Sequence, residues 1–143
     1  MLKSTKGTVY AAEGSVVLDI EPPPRTLADA MKHPDEDRGF TDILLETGIN
    51  MGPVEVEVLI LPSEPERDIT AEWDDAWEDF DLSLPAGKAH LHGPTVGEML
   101  EIGTIERPSL YRFRICANGR SSMRDLVTTE PVETYLVQAW EVA

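Results

Sequence analysis

A single cysteine, Cys116, stands in the 143-residue sequence, so neither an intrachain disulfide framework nor a thiolate zinc cluster is available. Basic residues are scarce. Twelve Lys and Arg face 27 Asp and Glu, a formal net charge of −15. That balance argues against nonspecific binding to DNA, RNA or an anionic membrane, all of which reward positive charge. It suits a soluble chain and permits a basic protein partner. Long apolar runs are missing, and no segment approaches the roughly 20 apolar residues of a membrane-spanning helix. The start, MLKSTKGTVYAAEGSVVLDI, is interrupted by Gly7, Glu13 and Gly14, unlike the continuous apolar core of a signal peptide; the expected compartment is the cytoplasm. Catalytic signatures are missing too. There is no P-loop, dinucleotide fingerprint, HExxH or GxSxG, so no catalytic residue, cofactor or resident metal is assigned.

What the chain does have is a supply of short apolar alternations punctuated by 10 Gly and 11 Pro. Gly7 to Ala12 and Ser15 to Ile20 read as strands around a Glu13-Gly14 hairpin turn. Pro22-Pro23-Pro24 stops the second, and Thr26 caps a short helix to Lys32. His33 to Gly39 reads as a loop, and Phe40 to Thr47 as a strand without clean alternation at Ile43-Leu44-Leu45. Val54, Val56, Val58 and Ile60 give the clearest strand of the first half. Phe80, Leu82 and Leu84 alternate in the next, and a Pro85-Ala86-Gly87 turn leads into Lys88 to His92. Thr95 and Glu98 have capping-box spacing. In Leu110 to Ala117, Tyr111, Phe113, Ile115 and Ala117 face inward, opposite Arg112 and Arg114, before the turn dipeptide Asn118-Gly119. Arg120 to Thr129 is a polar loop. In the last strand, Val132 to Trp140, one face carries Tyr135, Val137 and Ala139 and the other Leu136, Gln138 and Trp140. The expected fold is one acidic all-β domain over residues 1–143, an antiparallel β-sandwich with short helical segments, with a partly closed barrel as the alternative. Leu136 and Trp140 either seal a dimer or complete the core, which leaves the oligomeric state open.

The segment from Glu64 to Asp81 departs furthest from ordinary composition, with nine carboxylates opposed only by Arg67, a local formal charge of −8. Trp73 and Trp77 lie four apart, so a helical turn would place both rings on one side. Clustered carboxylates attract and orient a basic protein surface, and Trp is a frequent interface anchor. The candidate protein-binding residues are therefore Trp73, Asp74, Asp75, Trp77, Glu78 and Asp79. Against this stands the plainer reading, in which the indoles pack the segment onto the sheet and the acids form a solvated face.

Other constellations carry less. Asp79 with Asp81, and Asp35-Glu36-Asp37, offer hard oxygen ligands without the spacing of a calcium loop. His90 and His92 share a strand face and lack an identifiable third ligand. Cys116 is expected to be a small buried residue on a packed face rather than a reactive thiol. Arg112 and Arg114, followed by Arg120 and Arg124, either bind a small anionic ligand in a sheet-lined pocket or pair with the chain's own acids.

From Trp73 to Trp140, about half the chain, the residues also carry a family resemblance. An acidic, tryptophan-bearing lead-in precedes Leu84-Pro85-Ala86-Gly87, and Leu110-Tyr111-Arg112-Phe113-Arg114 follows. This resembles the competence protein J family, whose namesake is similar to a cytoplasmic inhibitor of a DNA-entry nuclease. It resembles still more closely a set of bacterial small β-domain proteins with a Tyr111-to-Arg120-like segment, an Arg124-Asp125-Leu126-Val127 stretch and a Glu130-to-Trp140-like ending. The Arg-rich C-terminal portion departs from the competence-protein pattern. The resemblance implies a non-enzymatic cytoplasmic β-domain whose partner is a basic protein such as a nuclease.

Overall fold

The computed structural model describes residues 2–32, 39–95 and 98–142. The Asp35-Glu36-Asp37 acids, most of the loop expected from His33, and the centre of the Thr95–Glu98 capping box lie outside them. Among the described residues ten strands run in chain order: β1 (Lys3–Ala11), β2 (Ser15–Glu21), β3 (Phe40–Glu46), β4 (Gly52–Leu61), β5 (Asp75–Ala76), β6 (Phe80–Leu84), β7 (Gly87–His92), β8 (Leu100–Ile105), β9 (Ser109–Asn118) and β10 (Thr134–Glu141). One helix, α1 (Leu27–Lys32), follows the proline run, and a 3-10 turn spans Thr70–Glu72. Thr26 caps α1 as expected, its hydroxyl accepting from the Asp29 N–H at 3.1 Å.

The strands form two sheets. The larger runs β1-β4-β10-β9, with β5 and β6 both paired to β9 as its far edge; the smaller runs β3-β2-β7-β8. All pairings are antiparallel except β4 with β10, which is parallel. The two sheets face each other as a sandwich and neither closes on itself into a barrel. Val9, Val54, Val56, Val58, Phe113, Ile115 and Tyr135 from the larger sheet meet Val16, Leu18, Ile20 and Leu91 from the smaller in one buried core. This is the period-two pattern read from the sequence, now with a partner on its inward face.

Three local expectations are corrected. Glu13 and Gly14 do make a tight turn with positive φ at both residues, but only Ala12 and Ser15 bridge across it. Beyond that bridge β1 joins one sheet and β2 the other, so the turn is a corner between layers. Asn118-Gly119 likewise ends β9 without a two-residue hairpin; β9 and β10 pair in register across the intervening 119–133 segment. Finally, β8 was not anticipated. Its pairing with β7 slips by one residue between Ala89 and His90, so Ile102 and Gly103 are both buried in succession and the alternation that would mark a strand is lost. A similar slip between Val16 and Val17 buries Leu44 and Leu45 together and accounts for the irregular pattern in β3.

The outward face of the larger sheet is also covered in part. Cys116, Leu136 and Trp140 are buried on it, so within this chain Leu136 and Trp140 complete a second packed layer. Cys116 is buried and unpaired, and burial, with the charge of Asp68, pushes its thiol pKa up, as expected of an inert structural cysteine.

Candidate functional site: the acidic edge of the larger sheet

The acidic segment forms the free edge of the larger sheet. Asp75 and Ala76 pair with Ala117 and Cys116, the Trp77 N–H donates to the Ile115 carbonyl at 3.0 Å, and pairing resumes at Phe80 opposite Phe113. Between Ala76 and Phe80 the edge carries one more residue than β9 does, a bulge that breaks the exposed ladder. Charge and a bulge are both devices that keep a sheet edge from pairing with another chain.

The expected helical turn across Trp73 and Trp77 is absent. Trp73 closes the 3-10 turn in an extended conformation (φ −111°, ψ 154°) and the chain is already a strand at Asp75, because the free ladder of β9 supplies backbone partners that a short acidic helix lacks. The two indoles are consequently placed differently. Trp77 packs against the core, its ring 6.2 Å from that of Tyr135, with the Arg120 guanidinium 4.7 Å from its outer face. Trp73 is half-buried, with no aromatic ring contact among the described residues.

The carboxylates divide by partner. Arg114, buried in β9, donates to Asp79 from Nε at 3.0 Å and Nη2 at 2.8 Å, reaches Glu64 at 3.3 Å, and lies 5.2 Å from the Trp140 ring centre. Arg112 forks onto Asp81 at 2.7 and 3.0 Å. Both arginines named as an anion site thus hold carboxylates of their own chain, and the Asp79/Asp81 pair faces guanidinium groups where a metal ion would sit. Asp74 closes a reciprocal clamp with the end of β9: its N–H donates to Asn118 Oδ1 at 2.8 Å, and its carboxylate accepts from the Gly119 N–H at 3.1 Å. Asp75 stands 3.9 Å from Arg120. Glu78, in the bulge, is exposed and has no partner among the described residues. Nine carboxylates are answered by Arg67, Arg112, Arg114 and Arg120, so the edge keeps a clear surplus of negative charge.

Hydrogen bonds from Arg112 hold the Asp81 carboxyl below its usual range, and the Thr70 N–H does the same for Asp68. A carboxyl whose pKa is depressed by folding contributes stability above its unfolded value, near 3.9, and loses it as pH falls through the folded value. Thermal melts are therefore expected to show falling stability below about pH 4, with a shallower acid slope in Asp81→Asn.

On the smaller sheet, His92 Nε2 lies 3.5 Å from Asp19, and among the described residues no three His, Cys, Asp or Glu side chains converge as a metal site. Sequence reasoning missed Glu133. It is fully buried and accepts from the backbone N–H of Gly48 at 2.9 Å, that of Ile49 at 2.6 Å, and the Tyr135 hydroxyl. A side chain on Gly48 would run into the Arg120 carbonyl, so glycine lets the two loops touch. The signal was present: Glu133 has the same strand parity as Tyr135, Val137 and Ala139.

No protein-family model matches the chain, and no curated protein is significantly similar to it in sequence. Solved structures do match. One described as crocagin biosynthetic gene J superposes with a TM-score of 0.50 at 12% identity, covering 95% of this chain and 96% of its own. ComJ from Bacillus subtilis, an inhibitor of the DNA degrading activity of NucA, superposes with a TM-score of 0.51 at 10% identity over 99% of both chains. The chain has the β-sandwich fold of these two proteins across essentially its whole length.

Proposed function

We propose that this protein is a non-catalytic protein-binding module that presents the acidic edge of its larger sheet to a basic partner, in its specific form a nuclease that it inhibits. The observation that carries this reading is the edge itself: Asp75 and Glu78 stand exposed on the same short edge segment as the half-buried Trp73, with more carboxylates than the neighbouring arginines neutralise. In this arrangement Trp73 is the apolar anchor and Asp75 and Glu78 the contacting charges. Asp74, Asp79 and Trp77 hold the segment against β9 and add to the field. A nuclease must bind a polyanion, so its active surface carries the Lys and Arg that a row of carboxylates engages in place of phosphate. The fold shared with ComJ supports inhibition over recruitment.

Asp75→Lys with Glu78→Lys reverses two charges and gives up only the 3.9 Å Asp75–Arg120 contact, without touching the Asp74 clamp or the Arg114 cluster. We expect the double variant to remain folded. It should lose the partner captured by the unaltered protein from its native cell extract, with affinity reduced about tenfold or more and the deficit largest at low salt. Equal capture by the folded variant would refute the interface.

A further inference from the structure

The two ends of the sandwich differ. At one, Glu133 ties the 48–49 backbone to β10 and closes the end. At the other, the sheets part around a cavity of about 380 Å³, within the range of small-molecule pockets. Its walls are Leu18, Val58, Ile102, Ile105 and Phe113, all buried. The space exists because three lining positions carry almost no side chain: Ala89, Ala139 and Gly103. Gly103 has φ +149°, a conformation that excludes the larger residues that would fill the gap. An apolar hollow of this size forfeits packing that a leucine or phenylalanine would restore.

Polar groups gather only at the mouth, where Lys3, Thr104, Arg107 and Tyr111 stand with Glu106 and Glu141. Glu141 is engaged by Arg107 at 3.4 Å, while Lys3 has no carboxylate partner among the described residues. The Tyr111 hydroxyl keeps its proton, since burial and the Glu141 charge push its pKa up. With Arg107 and Glu141 paired, Lys3 and the Tyr111 hydroxyl remain as donors at the rim, beside the single carboxylate of Glu106. This cavity is on the opposite face of β9 from Arg112 and Arg114; Tyr111 and Phe113 line it.

We propose that the open end of the sandwich binds a small amphipathic carboxylate, its apolar body between the sheets and its head group at Lys3, Arg107 and Tyr111. The acyl chain displaces water from apolar walls, and the head accepts charge-assisted hydrogen bonds from the rim.

Methyl-resolved NMR titration with decanoate, decan-1-ol and decylamine, each below its micellar concentration, tests this. Decanoate should shift the Leu18, Val58, Ile102 and Ile105 methyls saturably and bind more tightly than the alcohol, with the amine weakest. Ala139→Phe, which fills the cavity, should abolish those shifts; Ala89→Leu serves the same purpose if that variant does not fold. Lys3→Glu with Arg107→Glu should raise the decanoate Kd about tenfold or more. The proposal is overturned if no probe moves the cavity methyls, if a folded cavity-filled variant binds as before, or if decylamine binds more tightly than decanoate.

Discussion

Glu133→Ala is expected to lower the unfolding free energy by about 3–5 kcal/mol, a large share of the roughly 5–15 kcal/mol typical of a domain. The carboxylate accepts from two backbone N–H groups and the Tyr135 hydroxyl in a site without solvent exposure. Truncation leaves buried donors unsatisfied, each costing about 1–3 kcal/mol, and uncouples the 47–51 loop from β10. Tyr135→Phe removes one donor together with its share of the acceptor and should cost only about 1 kcal/mol. Glu133→Gln should fall between, because one carbonyl oxygen remains and the amide opposes a donor with a donor. Urea denaturation of the three variants checks the ranking; equal loss in Glu133→Ala and Tyr135→Phe would place the cost elsewhere than in the backbone bonds.

Arg114→Ala is the second large effect, expected at about 2–3 kcal/mol. Arg114 has only about 9% of its side chain exposed, and it joins three parts of the fold: Asp79 on the edge, Glu64 ahead of the 3-10 turn, and Trp140 on β10. Its removal leaves two carboxylates facing each other without a cation and uncovers an indole that is otherwise buried. Arg112→Ala makes a useful contrast, since its bidentate partner Asp81 is solvated and the pair is screened; its effect on stability should be distinctly smaller. Chemical denaturation gives both values. The same measurement bears on the edge, because a loosened Asp79 should also loosen the 77–79 bulge that sets Glu78 outward.

The sheets were legible in the sequence wherever the two faces of a strand meet different surroundings. Val54 to Ile60 and Phe80 to Leu84 alternate because one side meets the core and the other meets water or a salt bridge, and Tyr111 to Arg114 alternates because Arg112 and Arg114 reach Asp81 and Asp79 on the face opposite the core. Legibility failed at Leu44-Leu45 and Ile102-Gly103, where a one-residue slip in pairing buries two successive residues. It also failed at long range. The turn at Glu13-Gly14 was visible from its residues, but which sheet each flanking strand would join depends on pairings with β4 and β7, many tens of residues away. The acidic segment was evident as composition. Its conformation was not, since i,i+4 tryptophan spacing indicates a helix only if the backbone has no better partner, and the unpaired side of β9 supplies one. Of the arginines, Arg112 and Arg114 were correctly placed opposite Phe113, and their pairing with Asp81 and Asp79 follows from β6 lying beside β9. Glu133 went unread because a lone acid in the first residues of a strand is ordinarily solvated; only its parity with Tyr135 pointed inward.

The central claim is that the Trp73–Glu78 edge is where a protein partner sits, and amide hydrogen exchange on the purified complex tests it most directly. Once a stoichiometric partner has been isolated, binding should slow exchange of the backbone amides from Trp73 to Glu78, while the outer face of β2 and β7 exchanges as in the free protein. Protection confined to the smaller sheet or to the 119–128 loop, with the Trp73–Glu78 amides unchanged, would contradict it.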